Sequence, residues 1–247
     1  MGFGDDIMAT ARVRALFARN PVPVLITGLD AKPRWSEVWE NNPKIARVPE
    51  QAGQRMRDGP GARPYIDYAR MTQERFFFKD VGLEPGEILL TEAEKTQGRP
   101  IVLIEPHVKR GASPNKNWGF RRFQSLVDAR PETPWAQCDH GTPILDGVEA
   151  IGTSSFREAC AILSGAVAAV LPEGGLHHAA AALGIPAVVI FGAYIPPRIT
   201  GYESHINLAR DLPDVAGFNR PDPRAKAALA SITVEEVSAA LDTILAR

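Results

Sequence analysis

The sequence predicts an α/β fold with a parallel sheet. Three observations carry this. From residue 100 onward, short apolar runs of strand length alternate with helix-patterned segments. Two of those runs, residues 100–105 (PIVLIE) and 166–171 (AVAAVL), are almost wholly apolar, as strands covered on both faces must be. The polar segments that follow these runs, 107–116 and 173–178, fall where parallel sheets place their ligands.

Composition sets the outer limits. The 247 residues allow one large domain or two small ones. A chain 45% hydrophobic and 23% charged is ordinary for a soluble globular protein. A formal net charge of -1 argues against a polyanion partner, so nucleic acid is not expected. The two cysteines, Cys138 and Cys160, form no CxxC pair and no disulfide framework, which points to a reducing, cytoplasmic setting. No apolar run reaches membrane-spanning length, and the start MGFGDDIMATARVRAL lacks the apolar core of a signal peptide. No internal repeat is present.

In chain order, residues 2–6 read as a loop and residues 7–18 as a helix with Ile7, Ala11 and Leu16 on one side. Asp5 and Asp6 suit a helix start on dipole grounds alone. Residues 22–27 (VPVLIT) predict a strand, Trp35–Trp39 a short helical turn, and residues 45–48 a short strand. Residues 50–64, with Arg55, Arg57 and Arg63, read as a loop, either simply solvated or able to hold an anionic acceptor. Residues 66–79 look helical, with Phe76, Phe77 and Phe78 as core or inter-domain contacts. The pattern loosens over 84–98, which reads as a boundary. Strand 100–105 follows, then a polar segment to Asn117, an amphipathic helix over 120–129 and a strand over 135–138. Ser155 with Glu158, and Thr233 with Glu236, are capping boxes opening helices to Leu163 and Leu245. Residues 193–230 hold little periodicity.

The chain is organised around residues 162–192, ILSGAVAAVLPEGGLHHAAAALGIPAVVIFG. Pro172-Glu173-Gly174-Gly175 breaks a strand, the alanine-rich run that follows favours helix, and Gly184 with Pro186 stops it. A glycine loop feeding a helix exposes unpaired N–H groups at the positive end of the helix dipole, a place for phosphate or carboxylate. The same pattern is compatible with a buried βαβ unit that binds nothing. Three polar segments, 2–6, 107–116 and 173–178, come from both halves of the chain. A cleft between two α/β domains, 1–97 and 98–247, would bring them together.

Three segments resemble the heptosyltransferases of glycosyltransferase family 9. Glu173-Gly174-Gly175-Leu176-His177-His178, followed by AAAALGIP and VVIFG, is similar to that family's donor-site signature. Residues 111–118 (GASPNKNW) resemble its lysine-tryptophan segment, and Gly4-Asp5 its Gly-Asp at the start of the first helix. The chain has Glu173 where the family usually has aspartate, and Gly174 where it has threonine or serine. Its N-terminal half is shorter than usual, and the strand that should precede Gly4 is missing.

The resemblance implies two Rossmann-like domains in the GT-B arrangement, with a shortened acceptor-side domain over 1–97 and a nucleotide-sugar domain over 98–247. It implies a donor such as ADP-heptose and a saccharide or glycolipid acceptor. A glycolipid acceptor is compatible with peripheral association at the inner face of the cytoplasmic membrane. Backbone N–H groups at Gly175, Leu176 and His177, with the Lys116 ammonium and the Ser113 hydroxyl, would stabilise the leaving diphosphate. Asp5 would be the general base, and Asp6 points elsewhere because neighbours on a helix diverge by about 100°. Lys116 also admits a plain surface reading. No Asp-x-Asp pair is present, and His177 and His178 lack a nearby third ligand in sequence, so neither metal nor other cofactor is expected. His178 is expected to bond within the donor loop. A sugar-nucleotide 2-epimerase of the same fold and a non-catalytic nucleotide-sugar-binding protein are the competing readings.

Overall fold

The structure is a computed structural model, which describes residues 2–72, 76–95, 100–212 and 221–247. Two all-parallel sheets organise it. The first has three strands, β1 (Val24–Thr27), β2 (Ile45–Ala46) and β3 (Gln54–Arg57), in the order β2-β1-β3. The second has six: β4 (Ile101–Ile104), β5 (Trp135–Asp139), β6 (Glu149–Gly152), β7 (Ala166–Pro172), β8 (Ala187–Ile190) and β9 (Ile206–Leu208). Their order, β6-β5-β4-β7-β8-β9, is that of a doubly wound Rossmann sheet. The chain leaves β4 toward one edge and β7 toward the other, so a topological switch point lies between these adjacent strands.

The helices are α1 (Phe3–Arg19), α2 (Phe120–Asp128), α3 (Phe156–Ser164), α4 (Gly175–Leu183), α5 (Pro197–Thr200), α6 (Pro223–Ser231) and α7 (Val234–Leu245). The Thr233–Glu236 box closes in both directions, with Glu236 accepting from Thr233 N, whereas at Ser155 only one half forms, since Glu158 accepts from Ser154 N instead. Ser155 Oγ accepts from Glu158 N, and Thr233 Oγ1 from Glu236 N. No helix among the described residues is long and apolar enough to cross a membrane.

Several expectations are corrected. Helix α1 begins at Phe3, so Gly4 and Asp5 lie in its first turn, and Gly2 is its N-cap. Residues 66–72 and 76–79, the described part of the expected helix 66–79, are not helical. Around the undescribed residues 73–75, Asp67 N donates to Phe77 O, and Ile66 bridges Phe78 antiparallel. Consecutive phenylalanines favour such an extended, half-buried arrangement over a helix. Strand β3 lies within the expected loop 50–64, and pairs along β1 from Val24↔Gln54 to Thr27↔Arg57. Strands β6 and β9 and helices α5 and α6 were also unmarked by periodicity.

One apolar core runs through both sheets. It joins Ile7, Val13, Val24, Ile26 and Trp39 to Ile101, Leu103, Cys160, Leu171 and Val189. Helix α1 packs along α4. The approach is close enough to require glycine. A Cβ on Gly4 would lie 2.5 Å from His178 Cδ2. Beside it, Phe3 stacks on Phe156 with centroids 4.4 Å apart. A second core, containing Trp118, Phe123, Leu126, Ile190 and Leu241, holds α2 and α7 on the opposite face of the large sheet.

Candidate active site

The loops leaving β4 and β7 meet at the switch point. After β7, Glu173 N still bonds Ile190 O, and Gly174 caps α4. The amides of Gly175, Leu176 and His177 form the first turn, and Gly174, Gly175 and Leu176 are only half-buried. His177 is buried and fixes this turn. Its Nδ1 accepts from Gly174 N at 3.1 Å, and its Nε2 donates to Thr200 O at 2.7 Å. Nδ1 also lies 2.9 Å from Gly174 O, and burial pushes the ring's pKa down to about 4, which favours the neutral form. His178 does not bond within the loop as expected. Its Nδ1 pairs with the Tyr202 hydroxyl at 2.7 Å, and burial holds its pKa well below the ordinary value.

After β4, Ser113 Oγ accepts from Asn115 N, capping the short 3₁₀ turn Pro114–Lys116. Gly192, just beyond β8, is pressed against this turn. A Cβ there would lie 1.8 Å from Asn115 O. The turn delivers Lys116 into an ion pair with the buried carboxylate of Glu173. The Lys116 ammonium also lies 4.7 Å from the Tyr194 ring centroid.

From the N-terminal half, Asp5 receives the Tyr65 hydroxyl at 2.5 Å and the Arg63 guanidinium at 2.9 Å. Tyr194 connects the two sides. Burial raises the pKa of its hydroxyl, Glu173 and Asp5 raise it further, and Arg63 acts against them, so it feels charges from both sides. Phe76 and Phe78 pack edge-on against it, in a cluster with Tyr65 and Met8. Asp6 faces elsewhere, bonded to Arg34 at 2.8 Å. Arg34 also reaches the buried Asp58, whose pKa burial raises to about 6.

Every site residue expected from sequence lies in this region, apart from Ser113, which acts one turn back. Sequence reading missed Tyr65, Tyr194 and Tyr202. Tyr194 was findable by the rule that exposed the others, since it follows the C-terminal end of β8.

The expectation that His177 and His178 lack a third ligand is corrected. Glu173 brings one ligand atom within 4.8 Å of one from each histidine. The set does not fit a metal. Both His177 nitrogens already serve the backbone, and Lys116 occupies the carboxylate.

Glu105, at the end of β4, is a further buried carboxyl. One oxygen accepts from His107 N at 2.9 Å, and burial pushes its pKa up to about 7. A carboxyl raised in the folded state stabilises below its unfolded pKa, and that contribution is lost as pH rises through about 7. Glu105→Gln keeps an acceptor and removes the titration. Relative to wild type, the variant should gain roughly 2–3 kcal/mol between pH 4 and pH 8, read from denaturant midpoints. Parallel curves for the two proteins would contradict this.

The two parallel sheets, the larger with its loops gathered at a switch point, define a Rossmann-type α/β protein. Residues 11–227 match the profile of glycosyltransferase family 9 (heptosyltransferase), and the chain belongs to that family. Its fold is similar to the iron-containing dodecameric glycosyltransferase TibC from enterotoxigenic E. coli. That match has TM-score 0.72 and 14% identity, over 100% of this chain and 76% of the other. A family 9 glycosyl transferase from Veillonella parvula matches with TM-score 0.66 and 14% identity, over 100% and 95%. E. coli ADP-heptose LPS heptosyltransferase II matches with TM-score 0.50 and 17% identity, over 65% of this chain and 54% of that one. The chain therefore spans about half the length of that heptosyltransferase. These likenesses establish the two-sheet GT-B fold. No curated protein matches the chain.

Proposed function

We propose that the chain is a glycosyltransferase that moves a sugar, with heptose the first candidate, from a nucleoside-diphosphate donor to a saccharide or glycolipid acceptor. The carrying observation is the Lys116–Glu173 pair beside the first turn of α4, with Asp5 beyond Tyr194. As the glycosidic bond breaks, negative charge builds on the leaving diphosphate. The amides of Gly175, Leu176 and His177 and the Lys116 ammonium would receive it. Glu173, held by Lys116, is positioned to accept a donor hydroxyl. Asp5 takes the proton of the attacking acceptor hydroxyl, using lone pairs that Tyr65 and Arg63 leave over. In this reading residues 1–97 form the acceptor side and 98–247 the donor side, and the reaction runs without a metal or other cofactor.

Melting shifts with a panel of nucleoside diphosphates, followed by acceptor-dependent release of diphosphate from their sugars, test the proposal. Lys116→Ala should weaken nucleoside diphosphate binding by about 1.5–3 kcal/mol, the scale of a charge-assisted hydrogen bond. Unchanged affinity would remove Lys116 from the site. The non-catalytic binding reading draws on one observation: both Asp5 oxygens are already engaged, by Tyr65 and Arg63. Tight donor binding with no turnover on any acceptor would favour it.

A further inference from the structure

We propose that the Lys116–Glu173 pair makes the site select sugar nucleotides over free nucleoside diphosphates. Glu173 competes with the diphosphate for Lys116, and yields only when a hydroxyl of the donor sugar takes over its contact. The proposal rests on the glycosyltransferase reading above, and adds how the donor is told from the spent product.

Both partners are largely withdrawn from water. The Glu173 side chain is 6% exposed and that of Lys116 15%. The Tyr194 ring lies against the ammonium, 4.7 Å from centroid to Nζ. At this depth each charge acts strongly on its neighbours. Apart from the ammonium, Glu173 Oε2 is a buried oxygen with no hydrogen-bond partner. The two histidines beside it supply no second charge. Each brings a nitrogen within 4.8 Å of a Glu173 oxygen, yet burial lowers the pKa of both and favours their neutral forms. The backbone fixes the pair from both sides. Glu173 N is tied to Ile190 O, and Gly192 presses against the turn that carries Lys116.

These contacts link two events. A diphosphate at the first turn of α4 draws on the Lys116 ammonium. The carboxylate then shares its counter-ion, and stands beside phosphate groups of its own sign. A free diphosphate offers nothing in return, since ionised phosphate oxygens accept and do not donate. A sugar on the outer phosphate does. One of its hydroxyls donates to Glu173 and restores the partner that the carboxylate lost. After transfer that hydroxyl departs with the sugar, Glu173 reclaims Lys116, and the diphosphate is released. The pair thus works against retention of the product.

Calorimetric titration of the full chain with ADP, UDP and GDP, each against its glucose ester, tests this. For the base that binds, wild type should hold the sugar nucleotide about tenfold tighter than the free diphosphate, although the latter carries more charge. Glu173→Gln keeps the side chain's size and removes its charge. It should bind the free diphosphate about tenfold tighter than wild type does, and lose the preference for the sugar nucleotide. A merely structural Glu173 predicts the opposite, a weaker diphosphate site. Glu173→Ala repeats the measurement should Glu173→Gln fail to fold, and the wild-type comparison stands in either case. The proposal is overturned if a folded variant binds free diphosphate no tighter than wild type, or if wild type holds it as tightly as the sugar nucleotide. Wild type that binds none of these ligands would instead sink the donor reading, and this inference with it.

Discussion

Asp5→Asn is expected to lower sugar transfer by roughly 10²–10⁴ while leaving nucleoside diphosphate binding nearly intact, the usual share of a general base. The substitution keeps the shape of the side chain and removes its proton acceptor. It also leaves Arg63 facing an amide in place of a carboxylate. The donor contacts proposed for Lys116 and the start of α4 do not involve Asp5, so the loss should fall on kcat and not on donor affinity. Retained turnover would assign Asp5 a different task, that of fastening the loop of Arg63 and Tyr65 to α1.

The second large effect concerns Arg157, which sits in α3 and ties the two halves together. Its guanidinium bonds Glu94 at 2.5 and 3.0 Å, Leu89 O at 2.7 Å and Glu37 O at 3.1 Å. Arg157 is buried, whereas the Glu94 side chain is 32% exposed, so solvent screens part of the pair. Arg157→Met should therefore cost about 3 kcal/mol of unfolding free energy, much of it from the carbonyls left without a donor. The pair holds the Glu94 carboxyl down to about 2. The pair's contribution is present above the ordinary carboxyl pKa and is lost as pH falls through about 2. The gap between wild type and variant should accordingly narrow in acid. A variant as stable as wild type at neutral pH would show that Arg157 joins the halves without strengthening them.

What could be read from the sequence divides along physical lines. Strands β4, β7 and β8 were legible because both faces are covered, so their residues are apolar without interruption. Helices α3 and α7 were legible because their capping boxes mark the first turn chemically. Strand β3 was not, since Gln54-Arg55-Met56-Arg57 turns only Met56 fully inward. Strand β6 was hidden for the same reason, with Glu149, Ala150 and Gly152 exposed. At the site, Lys116 and Glu173 to His178 stood out because they flank recognisable strands. Tyr65 did not, and Arg63 was read only as one arginine of a basic loop, because their meeting with Asp5 is made by tertiary packing across β1, β2 and β3.

The docking of α1 onto α4 through Gly4 has a consequence for how such a protein can diversify. In a hinged two-lobed enzyme, one lobe can be exchanged as a cassette, because its interior is its own. Here Ile7, Val24 and Trp39 share an interior with Leu171 and Val189, so a transplanted N-terminal lobe would arrive without half of its lining. Such a chain diversifies more readily by replacing residues in place than by recombining lobes.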